Sequence, residues 1–361
     1  MKTMKAEKFP IKAICTGAAL ILLLTVLLGL ISGCGSGSDN KGELNLFNWT
    51  EYMPQSVIDA FQKEYGIKVN YTTFSSNEEM LAKIKSGEKG MYDLTVASDY
   101  MVDTMRETGV IAKLDKSKIT NLKNINPNYL NMEFDPNNEY SVPYMIANAI
   151  LCYNKEKVPE GIKSFNDIFD PKFKNSIVSI DDMRMVIGMA AISSGYTINE
   201  TDPGKLGQIK EKLISLKPNI KLFDSDTPKT SMISGETSIG YMWCAEVALA
   251  MAENENIVPV YPEEGLCLMI DNFVIPDGAK NKANAELFID FILRPENSKL
   301  ISDEFPYVNP NKAAFDLLPD SYKNNPASNP PEEEIKKGQL LKNLGDDAKL
   351  YDDIWTEFKN N

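Results

Sequence analysis

The sequence predicts an α/β protein made of two consecutive units, each a mainly parallel sheet flanked by helices. Three observations carry that expectation. Strand-like apolar runs alternate with stretches of 3.6-residue periodicity along most of the chain. Strand, helix, strand, helix in this order is what right-handed crossovers between parallel strands produce. The rhythm breaks once, in a polar Asn/Pro-rich interlude over 115–140, and then resumes.

Taken in order, 44–47 reads as a strand, and Val57, Ile58, Phe61 and Tyr65 follow at helical spacing with Gly66 as a stop. Residues 68–74 are β-rich, 77–87 are helical, and 93–97 form a short apolar strand that leads into a helix. After the interlude, 176–180 is a strand and 183–195 a helix rich in methionine and alanine. Strands are expected at 221–223, 237–242 and 257–261, with a helix over 245–253 between the last two. Residues 271–276 form a further strand candidate. The amphipathic stretch 282–293 comes next, with Ala285, Leu287, Phe288, Phe291 and Ile292 on its apolar face. The Pro/Asn/Glu run over 324–334 reads as a surface loop with a helix start.

The N-terminus sets the address. Lys2, Lys5, Lys8 and Lys12 precede an uncharged, mostly apolar stretch over 13–31, which ends in Ser32, Gly33 and Cys34. Small residues before a cysteine are the pattern of a lipoprotein signal, with cleavage before Cys34 and lipidation on its sulfur. The stretch is also long enough to be an uncleaved anchor. The flexible Gly/Ser linker over 34–42 favours cleavage. Either way the folded part lies on the extracytoplasmic face of the cell membrane, held there by lipid or by the span.

The whole chain has a net charge of −13. The leader over 1–33 holds four lysines and one glutamate, so the remaining 328 residues carry −16, enough chain for two domains. Such acidity repels nucleic acid and attracts cations, although much of it serves solubility alone. Of five cysteines, Cys15 leaves with the leader and Cys34 takes the lipid. Cys152, Cys244 and Cys267 allow at most one bridge and match no metal spacing; burial as small apolar residues is the commoner fate. Histidine is absent, which removes Ser-His-Asp, Cys-His and His-ligated zinc chemistry together. No cofactor and no metal are expected.

In open parallel sheets, ligands bind beyond the carboxyl ends of the strands. Those ends supply Trp49, Thr50 and Tyr52, then Ser98, Asp99 and Tyr100, then Asp181 and Asp182, Ser225 and Asp226, and Trp243, with Asp271 near a crossover. Carboxylates and aromatics converging from both units describe a cleft for an elongated cation. A buried ammonium needs paired charge to replace its hydration, and ring faces attract it by about 0.5–2 kcal/mol each. Each residue also has a plainer role. Trp49 and Trp243 fit a core, Asp182 fits a helix N-cap, and Tyr52 and Tyr100 fit an exposed rim. Asp271 fits a strand boundary, and Met183, Met185 and Met189 fit helix packing.

The runs LFNWTEY at 46–52, SDYMV at 98–102, LDKSK at 114–118, FDPNN at 134–138, SVPY at 141–144, FILRPE at 291–296 and YVNP at 307–310 resemble the spermidine/putrescine-binding proteins of ABC transporters. Shorter matches at 92–94, 242–243 and 284–285 extend the resemblance over the whole chain after the leader. It implies a two-domain periplasmic-binding-protein fold of the type II kind, with the ligand in the interdomain cleft. One lobe would span 43–147 plus 270–315 and the other 151–265 plus 320–361. The contacts it implies are Trp49, Thr50, Tyr52, Ser98, Tyr100, Trp243 and Tyr307, with Asp182 and Asp271 as amine partners and Ser225 beside them. Three positions depart from the family: Met185 in place of a second acid, Met269 in place of a tryptophan, and Leu341 in place of a glutamine. These departures imply a shorter ligand such as putrescine, a reseated spermidine or a related amine. The implied protein is a monomeric transport receptor without catalytic residues, working with two permease subunits and a cytoplasmic ATPase. Alternatives are the same fold with another small organic cation, a sensory lipoprotein, and a glycosidase using Asp181 or Asp182 with Asp271.

Overall fold

The computed structural model describes residues 42–360; the leader, Cys34 and most of the linker lie outside the described residues. Twelve strands are described: β1 (Glu43–Trp49), β2 (Lys68–Phe74), β3 (Leu94–Ser98), β4 (Ser141–Ile146), β5 (Ala149–Asn154), β6 (Ile177–Ser179), β7 (Ile220–Phe223), β8 (Ile239–Trp243), β9 (Ile257–Val260), β10 (Cys267–Leu268), β11 (Ile270–Val274) and β12 (Gln339–Leu340). The helices of nine or more residues are α1 (Gln55–Tyr65), α2 (Asn77–Ser86), α3 (Asp99–Glu107), α4 (Met183–Ile192), α5 (Pro203–Leu216), α6 (Cys244–Glu253), α7 (Lys282–Ile292), α8 (Pro295–Glu304) and α9 (Ala348–Asn360).

The first sheet has the order β2-β1-β3-β11-β4. Its strands are parallel except β11, which runs against both neighbours. The second has the order β12-β10-β5-β8-β6-β7, with β9 also paired to β5. Here β5 is the reversed strand. The α/β expectation with mainly parallel sheets therefore holds, and each sheet contains one reversed strand that enters from the other unit.

That exchange has a local cause. β4 ends at Ile146 in the first sheet and β5 begins at Ala149 in the second, so Ala147 and Asn148 carry the chain across. Met269 alone carries it back, between β10 and β11. The two crossovers are joined, since the Ala147 N–H donates to the Met269 carbonyl at 2.8 Å. Asn148 accepts from the Cys244 N–H at 2.8 Å, and the Ile146 N–H donates to Val308 at 3.0 Å. A third, longer passage brings β12 to the second sheet.

Helix boundaries follow their signals. α1 buries Val57, Ile58 and Phe61 and closes on Gly66, whose φ of 66° suits a residue without a Cβ. Ser76 caps α2 by accepting from the Glu79 N–H. α4 is buried nearly all round and ends at Ile192, three residues short of the expected end. Gly188 lets it pack closely, because a Cβ there would meet the Cys267 sulfur at 3.3 Å. The interlude over 115–140 forms short 3₁₀ turns rather than regular helix. The run after 324 does contain a helix start, at Glu332–Lys337. Cys152, Cys244 and Cys267 are buried free thiols. Among the described residues no helix is long and apolar enough to cross a membrane.

Candidate functional site

The carboxyl ends of strands from both sheets open onto one cavity. The first sheet and its loops supply Trp49, Thr50, Tyr52, Phe74, Ser75, Asp271 and Tyr307. The second supplies Asp181, Asp182, Ser225, Asp226 and Trp243, and the crossover residues Ala147 and Met269 complete the wall. Among the described residues, four carboxylates face this space and no lysine or arginine lines it.

Asp271 is the most buried of the four acids, at 2 % exposure. Its place follows from strand register: β11 pairs with β3 so that Asp271 lies opposite Ser98. The Ser98 hydroxyl donates to Oδ1 at 2.7 Å, and the Tyr52 hydroxyl donates to Oδ2 at 2.6 Å. Burial raises the carboxyl to about 6, and those two hydrogen bonds only partly oppose the rise. Asp182 sits at the N-cap of α4, where Oδ1 accepts the Met185 N–H at 2.8 Å. It too is raised to about 6, first by desolvation and against the pull of that N–H. Asp181 is exposed and already ion-paired with Lys359 at 2.8 Å. Among the described residues, Asp182, Asp226 and Asp271 have no direct ion pair. Asp271 therefore stands with two neutral donors and no cation, in a place where charge is expensive.

Aromatic rings flank these acids. The Tyr52 ring meets Tyr144 and Tyr307 edge-on, with centroids 5.4 and 4.9 Å apart. Trp49 leans on Phe74 at 4.6 Å, and its buried indole N–H has no partner. Trp243 ends β8 and is half-buried. A cavity with unpaired carboxylates, ring faces and no basic side chain suits a slender cation with charged ends and an apolar middle.

Eight of the ten contacts that the resemblance implies thus line one cavity, Trp49, Thr50, Tyr52, Asp182, Ser225, Trp243, Asp271 and Tyr307, as do the strand-end candidates Asp181 and Asp226, whereas Asp99 is wholly buried elsewhere. Ser98 and Tyr100 do not line it. Ser98 is wholly buried behind Asp271, which it orients. Tyr100 lines a second cavity next door, and its hydroxyl donates to Glu78 at 3.0 Å. Ser225 touches the space while accepting the Asp181 N–H at 2.8 Å. Of the departing positions, Met269 lines the cavity, whereas Met185 and Leu341 are buried away from it.

Besides the crossover residue Ala147, three contributors escaped the sequence reading. Phe74 and Ser75 lie at the carboxyl end of β2 and were accessible to the strand-end rule that found Trp49. Asn77 gave no signal, although its amide donates to both Ser98 and Tyr100, at 2.9 and 3.1 Å.

Residues 56–331 match the family model described as bacterial extracellular solute-binding protein. A spermidine/putrescine-binding periplasmic protein of Salmonella typhimurium is 39% identical over 339 residues, covering 94% of this chain and 97% of the relative. The spermidine/putrescine ABC transporter substrate-binding protein PotD of Streptococcus pneumoniae superposes with a TM-score of 0.76 at 36% identity, covering 88% of this chain and 99% of that one. The Tp0655 (TpPotD) lipoprotein of Treponema pallidum gives 0.80 at 30% identity, covering 88% and 100%. With an exchanged strand in each sheet, a cavity at the crossovers and these relatives along its length, the chain belongs to the bacterial extracellular solute-binding protein family.

Proposed function

We propose that this protein captures a small polyamine, putrescine or spermidine, outside the cytoplasmic membrane and delivers it to an ABC importer without altering it chemically. The observation that carries this reading is the cavity in which Asp271, Asp182 and Asp226 face aromatic rings with no basic side chain in the wall. Asp271 and Asp182 take the ammonium ends, Trp49, Tyr52, Trp243 and Tyr307 cover the methylenes, and Thr50 and Ser225 accept remaining N–H bonds. Ser98 and Tyr100 act from behind. The relatives named for spermidine and putrescine support the same cargo.

In this reading 43–147 with 270–315 forms one lobe and 151–265 with 320–361 the other, in keeping with which strands share a sheet. The lobes close about the crossovers when the cation bridges them, and permease subunits backed by a cytoplasmic ATPase recognise the closed form. A lipid on Cys34 holds the monomer at the membrane face. Thermal unfolding of the soluble part after Cys34, with putrescine, cadaverine or spermidine at about 100 times Kd, should show stabilisation of about 2.7 kcal/mol. If none of these amines raises the unfolding temperature, the cargo assignment fails.

A further inference from the structure

Behind Asp271 runs a hydrogen-bond relay that starts from a residue outside the cavity. Asn77 is the first residue of α2 and is 1 % exposed. An asparagine there would ordinarily serve the helix end, but Ser76 already caps it, accepting the Glu79 N–H at 3.1 Å. The Asn77 side chain turns instead to the end of β3 and the start of α3. The Ser98 N–H donates to its Oδ1 at 3.2 Å. Its Nδ2 donates to the Ser98 hydroxyl at 2.9 Å and to the Tyr100 hydroxyl at 3.1 Å. The backbone fixes the sense of this amide. A backbone N–H can only donate, so the atom facing Ser98 N is the oxygen, and both amide hydrogens are left for the two hydroxyls. A hydroxyl has one hydrogen, and one that accepts from Asn77 must spend it elsewhere. Ser98 spends it on Asp271 Oδ1 at 2.7 Å, and Tyr100 on Glu78 Oε1 at 3.0 Å.

We infer that Asn77 is a positioning residue for the amine site: it turns the Ser98 hydroxyl hydrogen onto Asp271 and so holds that carboxylate ready for an ammonium group. The inference rests on the polyamine reading above. Without the amide, the Ser98 hydroxyl is free to rotate and can present oxygen, rather than hydrogen, to the acid. The surroundings of Asp271 do not make good that loss. Tyr52 donates to its other oxygen, while Tyr144, Tyr307 and the buried Asp99 also act on it electrostatically, and none of these carries positive charge. A buried hydrogen bond to an ionised group is worth more than one between neutral partners, so its orientation matters here more than at the surface.

Calorimetric titration with putrescine and spermidine over several pH values tests the relay. Asn77→Ala and Ser98→Ala should each weaken binding by about tenfold at pH 7.5. Both should also move the acid fall-off in affinity to higher pH, because a carboxylate that loses a donor takes up a proton more readily. Asn77→Ala added to Ser98→Ala should cost less than about twofold more, since the two act on Asp271 through one hydroxyl. A merely structural role for Asn77 would let the losses multiply to about 100-fold, and that result overturns the inference, as does unchanged affinity in Asn77→Ala. Neutron diffraction from crystals of the unmodified protein reads the same relay with no substitution. The Ser98 hydroxyl deuteron should lie on the Asp271 side; one pointing at Asn77 overturns the inference. Binding of neither amine by the unmodified protein overturns the polyamine reading, and the inference with it, whereas multiplying losses overturn the inference alone.

Discussion

A carboxylate such as Asp271 is costly to keep ionised where it stands, and its function depends on that cost. With the site empty, burial holds Asp271 and Asp182 near 6. A bound ammonium favours the ionised form, so binding below that value has to displace protons. Affinity for a cationic amine should be full above about pH 7. It should fall by about tenfold per carboxylate for each pH unit below 6, as direct titration at several pH values would read. The sign reverses for the empty protein. Its raised carboxyls bind more protons folded than unfolded between about 4 and 6, so its intrinsic stability falls as pH rises through that window. The ligand-induced gain in melting temperature should therefore grow from pH 5 to pH 7.5. Asp271→Asn keeps the shape and removes the charge; it should weaken amine binding by about 100-fold and flatten the pH dependence by one carboxylate's share, with the melting temperature of the empty protein unchanged or raised. At this scale the sequence was informative for side chains at or just beyond the carboxyl end of a strand, such as Trp49, which ends β1, and Asp182, three residues after β6. It was silent on the Ser98–Asp271 pair, whose partners are 173 residues apart and meet only through strand register.

Elements with strong periodicity were legible to within a few residues. Others were overlooked because nothing chemical drew attention to them. α5 is one: Leu206, Ile209, Leu213 and Leu216 form a buried face behind an Asp202 cap and Pro203, a clear helix start. It packs on α4, the helix that presents Asp182 at its N-terminus. Leu213→Ala should cost about 2–5 kcal/mol in a urea unfolding measurement, since a fully buried leucine leaves a cavity. Loss of less than 1 kcal/mol would mean that α5 is not a support for the site. β4 and β5 stayed hidden for another reason. Both are short and buried, separated by two residues, and belong to different sheets. A local pattern reads them as one apolar run, since only long-range pairing divides them.

Across the molecule, the ties outside the cavity include one that is buried, the Arg184 guanidinium 4.7 Å from the centre of the Tyr100 ring, and others at the surface. Lys342 pairs with Glu133 at 2.8 Å and the Asn343 amide donates to Glu107 at 3.0 Å, but Lys342, Glu133 and Glu107 are exposed and Asn343 is only half-buried. Exposed pairs of this kind contribute roughly 0–1 kcal/mol. These surface pairs cannot hold the proposed closed form alone, so in that reading its population depends mainly on the guest. Small-angle scattering should show a contraction when putrescine is added, and Lys342→Ala should leave that contraction in place. An unchanged scattering profile on saturation would rule out ligand-driven closure. The bond between Ala147 and Met269 bears on where in the cavity affinity can be adjusted. Both residues line the cavity and also form the axle of the proposed rotation. Points on an axle hardly travel, so the amine touches nearly the same floor whether the walls are apart or together. A substitution at Met269 should then retune how the guest is first received, while one at Asp226, just beyond β7 at the far edge of the second sheet, should change how firmly the jaws stay closed.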